Sequence, residues 1–213
     1  MGGAASLSID DDAALRRDTA RLGMWVFLAS EMLFFGGLIA AYAAARWHAS
    51  AGFAAASAQT DVALGTLNTA LLLTSSFVIA LAVESSGADR RRGTARWLGL
   101  AAALGVAFLA IKGFEWRREW AEGLFPGPGF TVHGRVVPGA EVFFAWYFVA
   151  TALHALHLLI GVAGCAGFAV ALRRSQPAAD LAPRIHGLAL YWHFVDVVWI
   201  VLYPLIYLVA PRT

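Results

Sequence analysis

The sequence has one cysteine, Cys165, one lysine, Lys112, and little charge of either sign: Asp, Glu, Lys and Arg make up 14% of its 213 residues. A single cysteine excludes an intrachain disulfide and argues against a cysteine-based metal centre. Soluble domains carry about 25% charged residues, so the shortage of charge excludes a disordered chain and most soluble folds. Catalytic triads, phosphate-binding loops and nucleotide motifs are absent. A net charge of +2 with a pI near 9.0 would point a soluble protein toward nucleic acid. Here the placement of the charges explains the sum, and no nucleic-acid partner is expected.

What is abundant is apolar surface, with 60% hydrophobic residues and a mean hydropathy of +0.66. Long runs carry almost no charge. Between Arg21 and Arg46 there is only Glu31; residues 62–83, 97–111 and 142–172 carry none; residues 185–211 carry only Asp196. About 20 apolar residues cross about 30 Å of hydrocarbon as a helix, and these runs are too uniformly apolar for barrel strands. The pattern predicts an all-α integral membrane bundle of five transmembrane helices, at about 22–46, 62–84, 94–117, 140–172 and 184–209. Residues 1–21 read as a polar lead-in that turns helical near Ala13, and 22–213 as one membrane domain. Small residues followed by Asp10, Asp11 and Asp12 are the wrong order for a cleavable signal peptide.

Arginines set the expected orientation. Arg16, Arg17 and Arg21, then Arg90, Arg91, Arg92 and Arg96, then Arg173, Arg174 and Arg184 alternate with a first loop, 47–61, that has no basic residue. The positive-inside rule places the N-terminus inside and the C-terminus outside. Arg117, Arg118 and Arg135 oppose this from the third loop, 118–139, which is rich in Gly and Pro and reads as an ordered outer connection. On the fourth helix Gly161, Gly164 and Gly167 allow close helix approach, within the chain or toward a partner.

Ionisable groups inside a membrane cost at least about 2.5–3.5 kcal/mol each and need a reason. The spans hold Glu31, Lys112, Glu115, His154, His157, His193 and Asp196. Lys112 and Glu115 share a helix face as a candidate ion pair. At about 1.5 Å of rise per residue, Glu31, His154, His193 and Asp196 fall in one layer of the inner half of the membrane. That layer has several readings. It is a hydrogen-bond network, a metal site, or a membrane cytochrome b with His154 and His193 as axial haem ligands. The spacing does not match the Glu-x-x-His pairs of a di-iron bundle, so no metal ligands are assigned. A small transporter would show an internal repeat and a broken helix, and neither is evident.

Four motifs give the layer a context. They are Ser30-Glu31-Met32-Leu33-Phe34-Phe35-Gly36-Gly37, Leu67-Asn68-Thr69-Ala70 continuing to Thr74-Ser75-Ser76, Thr151-Ala152-Leu153-His154-Ala155-Leu156-His157, and Tyr191-Trp192-His193-Phe194-Val195-Asp196-Val197-Val198-Trp199. Together, across about residues 20–210, they resemble subunit III of the haem-copper terminal oxidases, in a short five-helix form that lacks the first two helices of longer members. The cleft those two helices help to form must be altered here or filled by a partner.

The resemblance implies a chain with no catalytic centre, haem or copper of its own. It would be the non-redox subunit of a proton-pumping cytochrome c oxidase-type complex that reduces oxygen to water. Subunits I and II carry the redox centres and are the implied partners, with a subunit IV or a respiratory supercomplex as further candidates. The chain would stabilise subunit I, bind structural phospholipid and support proton uptake. Glu31 matches the family's carbodiimide-reactive carboxylate. Glu115, His154, His157, His193 and Asp196 match motif positions that join helices or contact lipid or the partner subunit. A bacterial inner-membrane location follows. The alternatives are a subunit III-like protein of a quinol oxidase or nitric oxide reductase and, from a different class, the membrane cytochrome b.

Overall fold

The computed structural model describes residues 3–87, 90–174 and 178–210, with side-chain environments at Thr19, 22–87, 90–174 and 181–210. Six helices follow one another: α1 (Gly3–His48), α2 (Ser50–Ser57), α3 (Val62–Gly87), α4 (Arg91–Ala121), α5 (Ala140–Arg173) and α6 (Ala178–Tyr207). Among the described residues there is no strand, only an isolated bridge between Val132 and Arg135. Among the described residues, five helices are long and apolar enough to cross a membrane, over Leu22–His48, Val62–Gly87, Arg91–Ala121, Ala140–Arg173 and Leu181–Tyr207. These are the five spans expected from the uncharged runs.

The helices outrun those boundaries. α1 begins at Gly3 rather than near Ala13, and α4 continues to Ala121 past its arginines. Arg, Glu and Trp tolerate a helix well, so charge marks the end of the apolar stretch and not the end of the helix. The first loop also contains a short helix, α2, which is not among the expected helices. It is eight residues long, too short and too small-residue-rich to show periodicity.

The chain divides into two compact units, residues Met1–Gly37 and Leu38–Thr213. The first unit is the greater part of α1. Within it Ser30 turns its hydroxyl back to the Phe27 carbonyl at 2.7 Å, and Phe34 meets Phe35 edge to face. The second unit holds the helical bundle. Here α3 packs on α4, α4 on α5, α5 on α6 and α6 on α3, while α2 lies against α5.

Local chemistry fixes the ends of these helices. Asp61 caps α3, accepting the Leu64 amide at 3.2 Å, as a helix N-terminus requires. At the other extreme, the last carbonyls of α6 have no partner within their own helix. Tyr42 on α1 donates to the Leu205 carbonyl at 2.6 Å and Ser57 on α2 to the Ile206 carbonyl at 2.7 Å. Between α4 and α5 the chain turns through His133 and Gly134, both at positive φ, with Val132 and Arg135 exchanging backbone hydrogen bonds. That is the geometry of a tight two-residue hairpin turn. The connection is ordered, with Leu124 and Val132 buried and Glu141 accepting the Gly127 amide at 3.1 Å.

α2 and the start of α5 touch backbone to backbone. A methyl group on Gly52 would overlap the Pro138 carbonyl oxygen, and Gly139 enters α5 at a φ of 86° against Ala49. On α5, Gly161 faces the Trp192 ring and Gly164 faces Leu188, both on α6, whereas Gly167 meets nothing within 4 Å. Two of these three glycines therefore serve packing inside the chain. Gly52→Ala should destabilise the purified protein by about 1–3 kcal/mol, the usual cost of overpacking. Gly167→Ala should be neutral or stabilising by up to about 1 kcal/mol. Denaturation in detergent compares the two directly.

Candidate functional site

A buried polar cluster surrounds Lys112, which is 1% exposed. Its ammonium donates to Glu115 Oε2 at 3.1 Å, to the Tyr147 hydroxyl at 2.8 Å and to the Tyr207 hydroxyl at 2.9 Å. That uses all three of its protons. The tyrosines in turn donate to Glu115, Tyr207 at 2.7 Å and Tyr147 at 3.3 Å. The ammonium also lies 4.4 Å from the Tyr147 ring centroid, within range of a cation–π contact. Glu119, one turn beyond Glu115, is 3% exposed, and its oxygens make no hydrogen bond among the described residues. Glu119 lies beyond the boundary near 117 expected for this span, and the spacing of 112, 115 and 119 puts all three residues on one helix face.

At the membrane boundary beside this cluster, Arg118 bridges Asp61 at 3.0 Å and Glu122 at 3.3 Å. Partial burial works against the Asp61 charge. The Leu64 amide and the Arg118 guanidinium outweigh it and hold the carboxyl below the usual carboxylate range. This contact is present above the ordinary Asp value, near 4, and fades as pH falls through the lowered one.

A second set of contacts forms a seam between α3 and α6. Thr66 meets the Tyr203 hydroxyl at 2.8 Å, Trp199 Nε1 donates to Thr69 at 3.0 Å, Trp192 Nε1 donates to Ser75 at 3.0 Å, and Ser76 meets His193 Nδ1 at 2.6 Å. The pairing runs antiparallel. Thr69 and Ser75 also donate back to their own helix, to the carbonyls of Gly65 and Leu72. Each hydroxyl thus uses its proton locally and offers a lone pair to an indole N–H.

The residues of the expected polar layer separate into different environments. His154 is buried, with its ring centroid 4.9 Å from Trp199 and 5.5 Å from Phe108. His157 Nδ1 pairs with the Leu153 carbonyl of its own helix at 2.7 Å, and Tyr191 donates to the His157 carbonyl. His193 is tied to Ser76, and Asp196 is buried on the same helix. Lys112 and Glu115 are brought together directly. Glu31 belongs to the Met1–Gly37 unit and is partly exposed. Among the described residues no three His, Cys, Asp or Glu side chains are placed to hold a metal ion. Aromatic rings lie against two sides of His154. Thr69, Ser75, Ser76, Trp192 and Trp199 were legible as motif letters, but not as partners.

The family model described as cytochrome c oxidase subunit III matches residues 6–210 of this chain. The chain belongs to that family. Among its relatives is a cytochrome c oxidase subunit 3 from Thermostichus vulcanus, 34% identical over 94% of this chain and 92% of the relative. Another is a heme-copper oxidase subunit I+III from Aeropyrum pernix, 30% identical over 91% of this chain, which spans 23% of that longer protein. A third is a quinol oxidase subunit 3 from Bacillus spizizenii, 28% identical over 89% of this chain and 86% of the relative. The resemblance carried by the four motifs therefore holds, and with it a subunit III role in a haem-copper oxidase.

For this subunit III chain the Lys112 cluster is the most stringent internal contact. Removing one partner of a buried pair strands a charge, at about 3–5 kcal/mol. Lys112→Met should destabilise the protein by that amount, while Lys112→Met combined with Glu115→Leu should recover part of the loss. A double-mutant cycle on detergent denaturation measures the coupling, expected at about 0.5–3 kcal/mol.

Proposed function

We propose that the chain is the non-redox subunit III of a proton-pumping cytochrome c oxidase in a bacterial inner membrane, where it stabilises subunit I, holds structural phospholipid and supports proton uptake. The observation that carries this is the family match over nearly the whole chain, joined to a relative whose name unites subunits I and III. In this reading haem and copper belong to subunits I and II. The chain's own histidines serve packing and hydrogen bonds, as His154 does between Phe108 and Trp199 and His193 with Ser76. The N-terminus lies inside and the C-terminus outside, supported by the arginine distribution. Residues 22–213 form the membrane domain behind the 1–21 lead-in.

The second reading, a quinol oxidase subunit, is favoured by relatives such as the Bacillus spizizenii protein. The two differ only in the electron donor of the assembled enzyme.

Glu31 is proposed as the carboxyl that reacts with a hydrophobic carbodiimide. Its place in a membrane span of α1, with no other charge between Arg21 and Arg46, supports this.

Affinity purification of the tagged chain from native membranes tests the main reading. A haem-copper subunit I should accompany it at equal stoichiometry and give oxygen consumption with reduced cytochrome c. A preparation without that subunit overturns the proposal, and activity with quinol alone moves the chain to the second reading. Carbodiimide labelling of the same complex should be lost in Glu31→Gln. Undiminished labelling removes Glu31 from the role.

A further inference from the structure

The buried cluster around Lys112 holds more acid than base. Lys112, Glu115 and Glu119 share one face of α4 within the span Arg91–Ala121, and none is more than 3% exposed. The Lys112 ammonium uses its three protons on Glu115, Tyr147 and Tyr207, so none is left for Glu119. The Tyr147 and Tyr207 hydroxyls donate to Glu115, and a hydroxyl has a single proton to give. Both Glu119 oxygens are closed off from the surface and meet no hydrogen-bond partner among the described residues. Arg118, the nearest cation in sequence, is engaged by Asp61 and Glu122 at the membrane boundary.

Two ionised carboxylates against one ammonium would leave a net negative charge in this enclosed space. An unpaired buried carboxylate is so unfavourable that such a group neutralises instead. A divalent counter-ion would need about six or more oxygen ligands. Among the described residues no three His, Cys, Asp or Glu side chains are placed to begin such a set. A proton needs one oxygen only. The charged and titratable groups that act on Glu119 are Lys112, Glu115 and Arg118 of its own helix, Tyr147 of α5 and Tyr207 of α6.

We propose that the cluster is a proton-binding site: its two glutamates hold one proton between them, resident on Glu119, and Lys112 and Glu115 form the ion pair. Either glutamate can then serve as the counter-ion. With Glu115 neutralised, Glu119 gives up its proton and balances Lys112. The inference goes beyond the proposed function and rests on the geometry of the cluster, not on the electron donor or on Glu31.

The test uses the affinity-purified complex from native membranes, produced with glutamate carrying carbon-13 at the side-chain carboxyl. Infrared difference spectra between parent and variant separate the carbonyl stretch of a protonated carboxyl from the bands of an ionised one. Glu119→Gln should lose one labelled acid band and no carboxylate band, and Glu119→Asp should replace the labelled acid band with an unlabelled one. Glu115→Gln should lose the same acid band although Glu119 is still present, because Glu119 then ionises. Glu119→Gln is a neutral isostere and should also leave the melting temperature of the complex unchanged, a readout independent of the infrared band. Any infrared result in Glu119→Gln other than loss of the acid band overturns the proposal, as does a marked fall in its melting temperature or failure of the complex to assemble. An acid band that survives in Glu115→Gln, or a Glu115→Gln complex that does not assemble, overturns the sharing of one proton between the two glutamates.

Discussion

The bundle depends on one buried ammonium. Lys112 lies inside a membrane span, where an unpaired charge is intolerable, and its partners come from three helices: Glu115 on its own, Tyr147 on α5 and Tyr207 on α6. Each helix must therefore reach the same point with a correctly oriented polar group. Tyr207 is the last residue of α6, so the contact also fixes where that helix ends. The close approach of Gly65 to the Tyr207 ring draws α3 into the same place. Charge of this kind contributes little net stability when complete and much instability when broken. Its effect is to permit one arrangement of the helices and penalise others.

The α3–α6 seam answers a different problem. In lipid there is little hydrophobic drive for one apolar helix to join another, and association relies on close packing and on hydrogen bonds of about 0.6–2 kcal/mol each. The sequence meets both needs in the same stretch. Trp192 presses its ring against Gly161 while its N–H bonds Ser75, and Trp199 packs on Phe108 and His154 while its N–H bonds Thr69. An indole is suited to this double use, since it combines a large apolar body with one donor. The hydroxyls opposite are suited to receive it, since their own protons are satisfied within the helix turn.

Much of this was legible in the residues. The runs free of charge marked five spans, because a membrane segment must exclude charge over a known length. The four motifs marked the family, because they combine polar letters that a membrane otherwise rejects. What the sequence could not show was partnership. Lys112 and Glu115 are neighbours on one helix and were readable as a pair. Tyr147 and Tyr207 lie 35 and 95 residues away, and no periodicity links them to Lys112. Glu119 was missed because charge was taken as the edge of the helix. A helix continues past its apolar stretch whenever the next residues tolerate it. Likewise His154 and His193 were grouped by depth, which is one coordinate of three. The structure turns His154 toward Phe108 of α4 and Trp199 of α6, and His193 toward Ser76 of α3.

That separation bears on what the chain contributes to an oxidase. Here His154 is packed against Phe108 and Trp199, and His193 shares Nδ1 with Ser76. The indoles and tyrosines around them are engaged in holding four helices in register. The interior of the second unit is thus committed to its own architecture. The outward faces of the spans, including Leu73, Phe77, Leu156 and Leu159, remain apolar and exposed. Such faces suit contact with lipid and with other subunits, as the proposed role requires. The supporting role proposed for it follows from how its polar groups are used, as well as from the family to which it belongs.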